Sequence, residues 1–539
     1  MENLRTPSFA PLCAGVRKQA AQPHSSARTD RAGGAASLLR SYANLCASAI
    51  GIGVLAYPLA FRQSGVGAGL ASASAFCAVN CGILLLLAAC LSALARRGAR
   101  VASFEELCRE AGSRVGGKCG GTCMHGAAVA SILCNQFGQL LASLVLCATL
   151  LEPSLPAAWR GLLARACIIA LFMLLLCPLF FAHRISSLGC TSTIAVAIVG
   201  FIVFVIALRL GEHGAASDVE WLIADQLRGS AKSIPIYVFT FGCQLQFVST
   251  WAESFAAAMA TAPVLLAGAK DRTLLEPTKD RPLLAEHAGD AELGAAAGAG
   301  AAPARLGALE QLTLAPSEGA IRRVERQMRC VVVANQCTCL LVYAAMGTLG
   351  YALLGDGTID SRAGGDVLLG LSLSGSDVLA IAARWTLCLH LAFAFPVFIY
   401  PAHSAIISLL DVLAVAARGL CDHHGVGGQE DRVKDDDHDA LLSRARRRKH
   451  TSTLILIVWI LGAALAALFV PKIEDVFNLI GSTVGTTINI TLPALCVMLI
   501  RPAQCFCCGG SSLLDVSIGA ALLLASVAIT IGCTTLSVL

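Results

Sequence analysis

The sequence predicts an all-α polytopic membrane protein with about eleven transmembrane helices. Hydrophobic residues make up 56% of the 539 residues, charged residues make up only 14%, and the mean hydropathy is +0.71. A water-soluble chain of this length needs many more charges to cover its surface. Apolar runs also recur at the length with which a helix crosses a bilayer, about 17–25 residues. Two of these runs contain glycine or proline near the centre, which predicts broken helices.

The predicted spans follow the apolar runs along the chain at 38–61, 67–95, 122–150, 162–182, 187–208, 233–260, 329–354, 377–412, 451–470, 476–500 and 513–537. Ten or twelve spans fit the same runs, because their boundaries are not sharp. The resulting organisation has a disordered cytoplasmic tail (1–37), helices 1–6 (38–260), a flexible Ala/Gly-rich cytoplasmic loop (261–328), helices 7–8 (329–412), a charged cytoplasmic loop (413–450) and helices 9–11 (451–539).

The basic residues predict which loops face the cytoplasm, since cytoplasmic loops carry the excess of lysine and arginine. With the N-terminus inside, the basic segments 96–119 and 444–449 both face the cytoplasm, whereas the outer loop at 151–161 holds only Arg160. The net charge of +5 follows from this topology and gives no support to nucleic-acid binding. Leu441-Leu442, four residues after Asp437, resembles an acidic dileucine sorting signal. The expected location is therefore the plasma membrane or an endolysosomal or vacuolar membrane.

Catalytic and cofactor motifs are lacking in the sequence. There is no P-loop and no soluble domain able to hydrolyse ATP, and no Ser/His/Asp grouping lies at one membrane depth. The acidic stretch 435–439 beside His423-His424 is typical of a solvated loop and predicts no metal site. We therefore expect a protein that is not an enzyme and that needs no cofactor, with the lipid bilayer as its surroundings.

The two interrupted spans predict a binding site at the membrane midplane. Gly51-Ile52-Gly53 breaks the first span, and Gly242 lies within the sixth span, downstream of Pro235. Broken helices at matching places in two halves are the best sequence indication of a transporter site. Free N–H groups at the first break suit a carboxylate. Unpaired carbonyls at the second break, with Thr240 and Gln244, suit an ammonium group, so the expected ligand is a zwitterion.

Four segments resemble the amino acid/auxin permease family: NLCASAIGIGVLAYPLAFRQSG at 44–65, PIYVFTFGCQ at 235–244, FPVFIYPAHS at 395–404 and FNLIGST at 477–483. The resemblance implies an eleven-helix carrier with a five-plus-five inverted repeat and broken helices 1 and 6, which moves amino acids by alternating access. The candidate substrate-binding residues are Ser48, Ile50, Gly51, Ile52, Gly53, Asn135, Gln136, Phe239, Thr240, Phe241, Gly242, Cys243, Gln244 and Phe393. Asn135 and Gln136 fit polar helix packing equally.

The coupling ion is predicted from departures from the family pattern. Sodium-coupled branches typically carry asparagine where this chain has Ala47, and threonine near the positions of Ala392 and Ala394. Sodium requires oxygen ligands, so proton coupling or facilitated exchange is favoured over sodium. Glu253 and His390 are the coupling or gating candidates, because ionisable residues inside a membrane are often functional. A structural ion pair for Glu253 and a satisfied buried histidine for His390 are the alternatives.

A sensor or scaffold is the alternative to a carrier. Such a protein would use a transporter fold to bind an amino acid and would signal through its cytoplasmic loops. Saturable binding without saturable transport would distinguish it. An ion channel is disfavoured, since the paired broken helices do not provide the rings of like residues that channels use.

Overall fold

The computed structural model describes residues 26–176, 189–223, 227–273, 318–358, 378–423, 437–470, 473–500 and 512–538. Helices and short connections make up these residues, and none of the described residues forms a strand. Eight of the helices are long and apolar enough to cross a membrane, and a pair bent by 49° at Leu38–Ala49 and Gly53–Ser64 forms a ninth candidate. The all-α membrane fold predicted from the sequence is therefore confirmed.

Fourteen α-helices are described, in the order α1 Ser26–Ala49, α2 Tyr57–Ser64, α3 Val66–Arg96, α4 Phe104–Leu151, α5 Leu162–Leu176, α6 Gly189–His213, α7 Leu227–Thr240, α8 Gln244–Thr273, α9 Glu318–Thr358, α10 Val378–His423, α11 Asp437–Phe469, α12 Ile473–Ile480, α13 Leu492–Ile500 and α14 Ser512–Val538. A 3₁₀ helix at Ile52–Ala56 leads into α2. Two π-helical segments, Gly481–Gly485 and Thr487–Thr491, join α12 to α13.

Both predicted helix breaks are confirmed. The first span consists of α1 and α2 with the break at residues 50–51, and the sixth consists of α7 and α8 with the break at 241–243. The fourth predicted span begins with α5, which has 15 residues, and its last part, 177–182, lies outside the described residues. The count of eleven spans and the five-plus-five repeat thus stay predictions.

Several helices extend beyond the predicted spans. Helix α1 begins within the predicted tail, and α8, α9, α10 and α11 all continue into the predicted cytoplasmic loops. Charged residues with good helix propensity explain part of this extension. At the start of α9, Arg322 Nε donates to Glu318 Oε1 one turn away at 2.9 Å, and this hydrogen bond lowers the pKa of the Glu318 carboxyl. Residues 1–25, 274–317 and 424–436 lie outside the described part of the chain.

Helix α4 also begins before the predicted third span and folds back on itself. Gly117 lies at the bend with φ +56°, a conformation that favours glycine. The two arms touch at Gly112 and Gly120, where an added Cβ would meet the opposite backbone. The first arm, which starts at Phe104, therefore lies against the beginning of the membrane-spanning arm.

Close packing around Phe61 fixes α2 between α3 and α9. Phe61 is fully buried, and glycines stand on both faces of its ring. A Cβ on Gly69 of α3 would lie 2.7 Å from Phe61 Cδ1, and a Cβ on Gly347 of α9 would lie 2.9 Å from Phe61 Cδ2. The ring therefore occupies a slot that only glycines leave wide enough.

One end of the helix bundle is closed by the segment 214–223, which follows α6. The backbone N–H of Val66 donates to Glu220 O at 3.0 Å, so the free start of α3 is capped by this segment. The N–H of Ala216 donates to Ala352 O of α9 at 2.8 Å. An ion pair between Arg62 and Asp356, with 3.6 Å between Nε and Oδ1, joins α2 to α9 at the same end.

We predict that Gly69→Ala lowers stability by about 1–3 kcal/mol, because overpacking a filled core forces side chains from their rotamers. The measurement is thermal unfolding of the purified protein in detergent. Gly82→Ala is the matched control on the same helix, since no atom lies within 4 Å of its added Cβ. Equal melting temperatures for the two variants would contradict the Phe61 slot.

Candidate functional site

The first break leaves backbone groups open in the middle of the fold. Helix α1 ends at Ala49, the N–H of Ile50 donates to Cys46 O at 2.7 Å, and the N–H of Gly51 donates to Ala49 O at 2.8 Å. The following amides, of Ile52 and Gly53, open a new helical segment and therefore have no partner within it. A helix start of this kind carries partial positive charge. Ile50, Gly51 and Gly53 are buried, so this charge lies inside the protein.

The second break differs from the expectation in one respect. Its carbonyls were expected to be unpaired, yet Tyr343 Oη donates to Thr240 O at 2.8 Å and Asn80 Nδ2 donates to Phe241 O at 2.7 Å. The expectation of free carbonyls is wrong for these two groups. The physical reason is that an open carbonyl buried away from water is costly, so neighbouring helices supply donors.

Tyr343 connects the two breaks directly. Its hydroxyl lies 2.6 Å from Ala49 O, the last carbonyl of α1, and 2.8 Å from Thr240 O, the last carbonyl of α7. A tyrosine hydroxyl has one hydrogen, so the two carbonyls share this donor, and Ala49 O accepts in addition from the Gly51 N–H. Both helices thus end with negative partial charge beside a fully buried tyrosine. The pair of carbonyls keeps capacity to accept a further hydrogen bond.

Gly53 and Thr240 are in direct contact across the two breaks. A Cβ on Gly53 would overlap the Thr240 methyl carbon, Cγ2. The Thr240 hydroxyl donates to Ile236 O at 2.8 Å and lies 3.0 Å from the Tyr57 hydroxyl, which therefore donates to it. Tyr57 also stacks on Tyr343, with 4.5 Å between ring centroids. These contacts hold both broken spans at one depth.

A chain of buried amides spans the second break. Gln244 Nε2 donates to Asn80 Oδ1 at 2.7 Å and to Asn489 O at 3.0 Å. Asn489 Nδ2 donates to Val238 O at 2.9 Å, so Asn489 contacts the chain on both sides of the break. The side chain of Asn489 also fills the place where a Cβ of Gly242 would lie. The break is therefore held open by amides rather than left flexible.

Helices α4 and α10 approach the first break. Asn135 Nδ2 donates to Gln136 Oε1 at 3.0 Å, and Gln136 Nε2 donates to Phe398 O at 2.7 Å. The Phe398 ring in turn lies 3.7 Å from the place of a Gly51 Cβ. Gln136 thus contacts α10 directly, and Asn135 contacts Gln136. Phe398 lies between this pair and the first break.

The remaining predicted site residues lie at different distances from the breaks. Phe239 packs on Phe477 with 5.4 Å between ring centroids, and Cys243 accepts from Asn335 Nδ2 at 3.7 Å. Ser48 donates to Leu45 O of its own helix at 2.9 Å. Phe393 is half-buried on α10.

The two coupling candidates differ in position. Glu253 lies about 13 Å along α8 from Gln244 and interacts with Tyr400. His390 is fully buried. Its Nδ1 lies 2.9 Å from Ala195 O, and the Ile50 backbone lies beside its ring. Only His390 therefore reaches a break.

A cavity of about 200 Å³ lies between α4, α8 and α10 on the side where α3 ends and α4 begins. Its inner wall includes Ile132 and Leu245, close in sequence to Asn135 and Gln244. Its wall is polar and acidic, with Glu105, Ser404 and Asp411 among the lining residues. The cavity thus reaches Leu245, which is close in sequence to the second break, whereas the residues of both breaks are buried.

Several residues of this centre were not predicted from the sequence: Asn80, Tyr57, Tyr343, Asn335, Gln336 and Asn489. Polar side chains inside apolar spans are a usable signal, and Asn80 and Asn489 carry it. Tyr343 gives no such signal, because a tyrosine in a membrane helix is an ordinary apolar packing residue until its hydroxyl partner is known.

Apolar spans, two breaks and a buried polar centre define a polytopic membrane protein. The family model "Transmembrane amino acid transporter protein" matches residues 34–252 and 318–534. The chain belongs to this family, the one that its sequence motifs resemble. The family and the apolar candidate spans agree on an integral membrane protein with several transmembrane helices.

Two curated relatives share part of the sequence. "Amino acid transporter AVT6B" of Arabidopsis thaliana is 28% identical over 179 residues, which is 33% of this chain and 33% of that protein. "Amino acid transporter AVT6A" of the same plant is 28% identical over 176 residues, 32% of each chain. The chain thus matches about a third of the length of these relatives.

Among solved structures, a manganese transporter of Eremococcus coleocola in complex with an aromatic bis-isothiourea compound is similar over 96% of this chain and 97% of that one. Its sequence identity is 12% and the TM-score is 0.37. At this TM-score the match does not define a shared fold.

We predict that Gly53→Ala lowers transport by about tenfold or more, since its Cβ overlaps Thr240 and overpacking costs about 1–3 kcal/mol. Thr240→Ser removes the overlapping methyl group and keeps the hydroxyl, so the double variant should recover transport. The measurement is uptake normalised to protein in the membrane. Gly200→Ala, whose surroundings are open, is the control. Failure of Thr240→Ser to rescue would contradict this contact.

We predict that Tyr343→Phe lowers stability by about 1–3 kcal/mol, because the buried Thr240 carbonyl loses the Tyr343 hydroxyl and the Ala49 carbonyl keeps only the Gly51 N–H. Thermal unfolding in detergent measures this loss, and uptake should fall with it. Tyr42→Phe is the matched control, since its hydroxyl also joins α1 to α9, through Thr338 at 2.8 Å, away from the breaks. A larger loss for Tyr42→Phe would overturn the assigned importance of Tyr343.

Proposed function

We propose that the protein carries amino acids across the membrane by alternating access and binds the substrate between its two broken helices. The observation that carries the proposal is the meeting of the helix ends. The last carbonyls of α1 and α7 share the hydroxyl of Tyr343, while the next helical segment begins at Ile52. Opposite partial charges therefore lie side by side at the centre of the fold.

A zwitterionic amino acid matches this charge distribution. Its carboxylate accepts hydrogen bonds from the amides of Ile52 and Gly53. Its ammonium group has three donors and binds the carbonyls of Ala49 and Thr240, which share the Tyr343 hydrogen in the absence of substrate. The ammonium group takes over those acceptors from Tyr343, so substrate binding loosens the link between the two breaks.

The alternating-access cycle is supported by the difference between the two ends of the bundle. The cavity beside Glu105 and Asp411 extends as far as Leu245, close to the second break, and the segment 214–223 packs on α3 and α9 at the other end of the bundle. With the N-terminus in the cytoplasm, the cavity is the cytoplasmic path. We assign the protein to the plasma membrane or an endolysosomal or vacuolar membrane.

Proton coupling or facilitated exchange is proposed over sodium coupling. Ala47, Ala392 and Ala394 are all buried and offer no side-chain oxygen at the positions where sodium-coupled relatives have one. Sodium needs several oxygen ligands, and backbone carbonyls alone must supply them here. A proton needs a single acceptor, which a histidine or carboxylate provides.

The deciding experiment is uptake of labelled standard amino acids into vesicles that contain the purified protein. We expect saturable uptake of at least one amino acid, with accumulation under an inward proton gradient and none under a sodium gradient alone. Empty vesicles are the control. Accumulation that requires sodium would overturn the coupling assignment. Saturable binding without saturable uptake would overturn the carrier and favour the sensor.

A further inference from the structure

His390 combines complete burial with an incomplete set of hydrogen bonds. It lies on α10 at 0% exposure. Its Nδ1 is 2.9 Å from the carbonyl oxygen of Ala195 on α6. A carbonyl only accepts, so Nδ1 carries a hydrogen, and in the neutral ring Nε2 is then a bare acceptor. Nε2 makes no hydrogen bond within the described structure.

The neighbour of this ring at the first break is also an acceptor. The backbone of Ile50 lies beside the His390 ring. The N–H of Ile50 already donates to Cys46 O at 2.7 Å, so the group that Ile50 offers the ring is its carbonyl. Two carbonyls thus surround an imidazole whose neutral form has one N–H. A second proton on the ring gives both carbonyls a donor.

Among the described residues, no side chain provides a fixed counter-charge to His390. The helices packed around it carry the titratable residues Arg384 and Cys388 on α10 itself, Cys147 on α4 and Cys46 on α1. None of them enters the interactions of the ring, which involve only the backbones of Ala195 and Ile50. A buried charge without a partner is costly, so the ring holds a proton only when an anion is near.

We propose that His390 Nε2 is the proton-binding site of the transport cycle and that it is charged only while a substrate carboxylate occupies the first break. This inference rests on the proposed function, which puts that carboxylate at the amides directly after Ile50. The carboxylate supplies the missing counter-charge, and the imidazolium stabilises the carboxylate. By linkage, each ligand raises the affinity for the other by the same factor.

This arrangement couples the two ligands without a permanent acidic partner. A carboxylate side chain beside His390 would hold the proton in every state and allow it to cross alone. Here, departure of the substrate toward the cytoplasmic cavity removes the counter-charge, and the proton leaves as well. The empty carrier therefore returns with a neutral ring.

The test uses purified protein in vesicles and the mixture of labelled standard amino acids. His390→Gln keeps an N–H for Ala195 O but binds no proton. We expect proton-driven accumulation to fall to the equilibrium level. Exchange of labelled for unlabelled amino acids should persist with a weaker apparent substrate affinity that no longer changes with pH, because the variant has no imidazolium to stabilise the substrate carboxylate. His213→Gln, on the exposed end of α6, is the matched control and should retain accumulation.

A second measurement does not depend on any variant. Addition of the same amino acid mixture to wild-type protein in weakly buffered detergent should take up about one proton per bound substrate, as linkage requires. A pH indicator records this uptake. No proton uptake by the wild type, or full accumulation by His390→Gln, would overturn the proton site and leave the carrier intact. Absence of uptake and exchange in the wild type would overturn the proposed function itself.

Discussion

The pairing of open backbone groups is the constraint on which the rest of this structure depends. Two helices are broken at the centre of the fold, where the N–H and C=O groups at the helix ends are buried away from water. Side chains from unbroken helices do this instead. Tyr343 serves the last carbonyls of α1 and α7, Asn80 serves Phe241, and Asn489 serves Val238. Side-chain hydrogen bonds from the neighbouring helices thus stabilise the two breaks.

This pairing has a consequence for motion. A broken helix whose ends are held by a few side-chain hydrogen bonds can adopt a small number of discrete conformations, since a ligand can replace each hydrogen-bond donor. The shared hydrogen of Tyr343 is the weakest point, because one donor serves two acceptors. Close contacts such as Gly53 with Thr240, and Phe61 between two glycines, leave little room for gradual adjustment. We therefore expect substrate binding to move the broken helices between discrete conformations rather than to deform them gradually.

The centre of the fold satisfies its buried backbone groups with neutral side chains rather than with charged ones. The described residues around the breaks are neutral amides, hydroxyls, thiols and one histidine, while the acidic residues Glu105 and Asp411 line the cavity nearer the membrane face. The neutral centre presents helix ends of both signs, which suits a zwitterion of no net charge. This neutral centre supports the amino acid substrate that we propose, and the choice among amino acids would depend on side-chain contacts at the breaks.

The sequence alone determined the membrane class, the family and the two helix breaks. These depend on local properties: the length of an apolar run, and Gly51, Gly53 and Gly242 within such runs. The sequence did not determine where the helices end outside the membrane. Charged residues mark the end of an apolar run, but they also have good helix propensity, so a helix can extend through them, as α9 does from Glu318. Only the tertiary structure decided what satisfies the breaks. Tyr343 and Asn489 lie far along the chain from Ala49 and Thr240. The sequence shows that Asn489 is a polar residue within an apolar span, but it does not show which distant residue a side chain bonds to. The tertiary structure likewise decided that His390 adjoins Ile50, because that contact arises from the packing of α10 against α1.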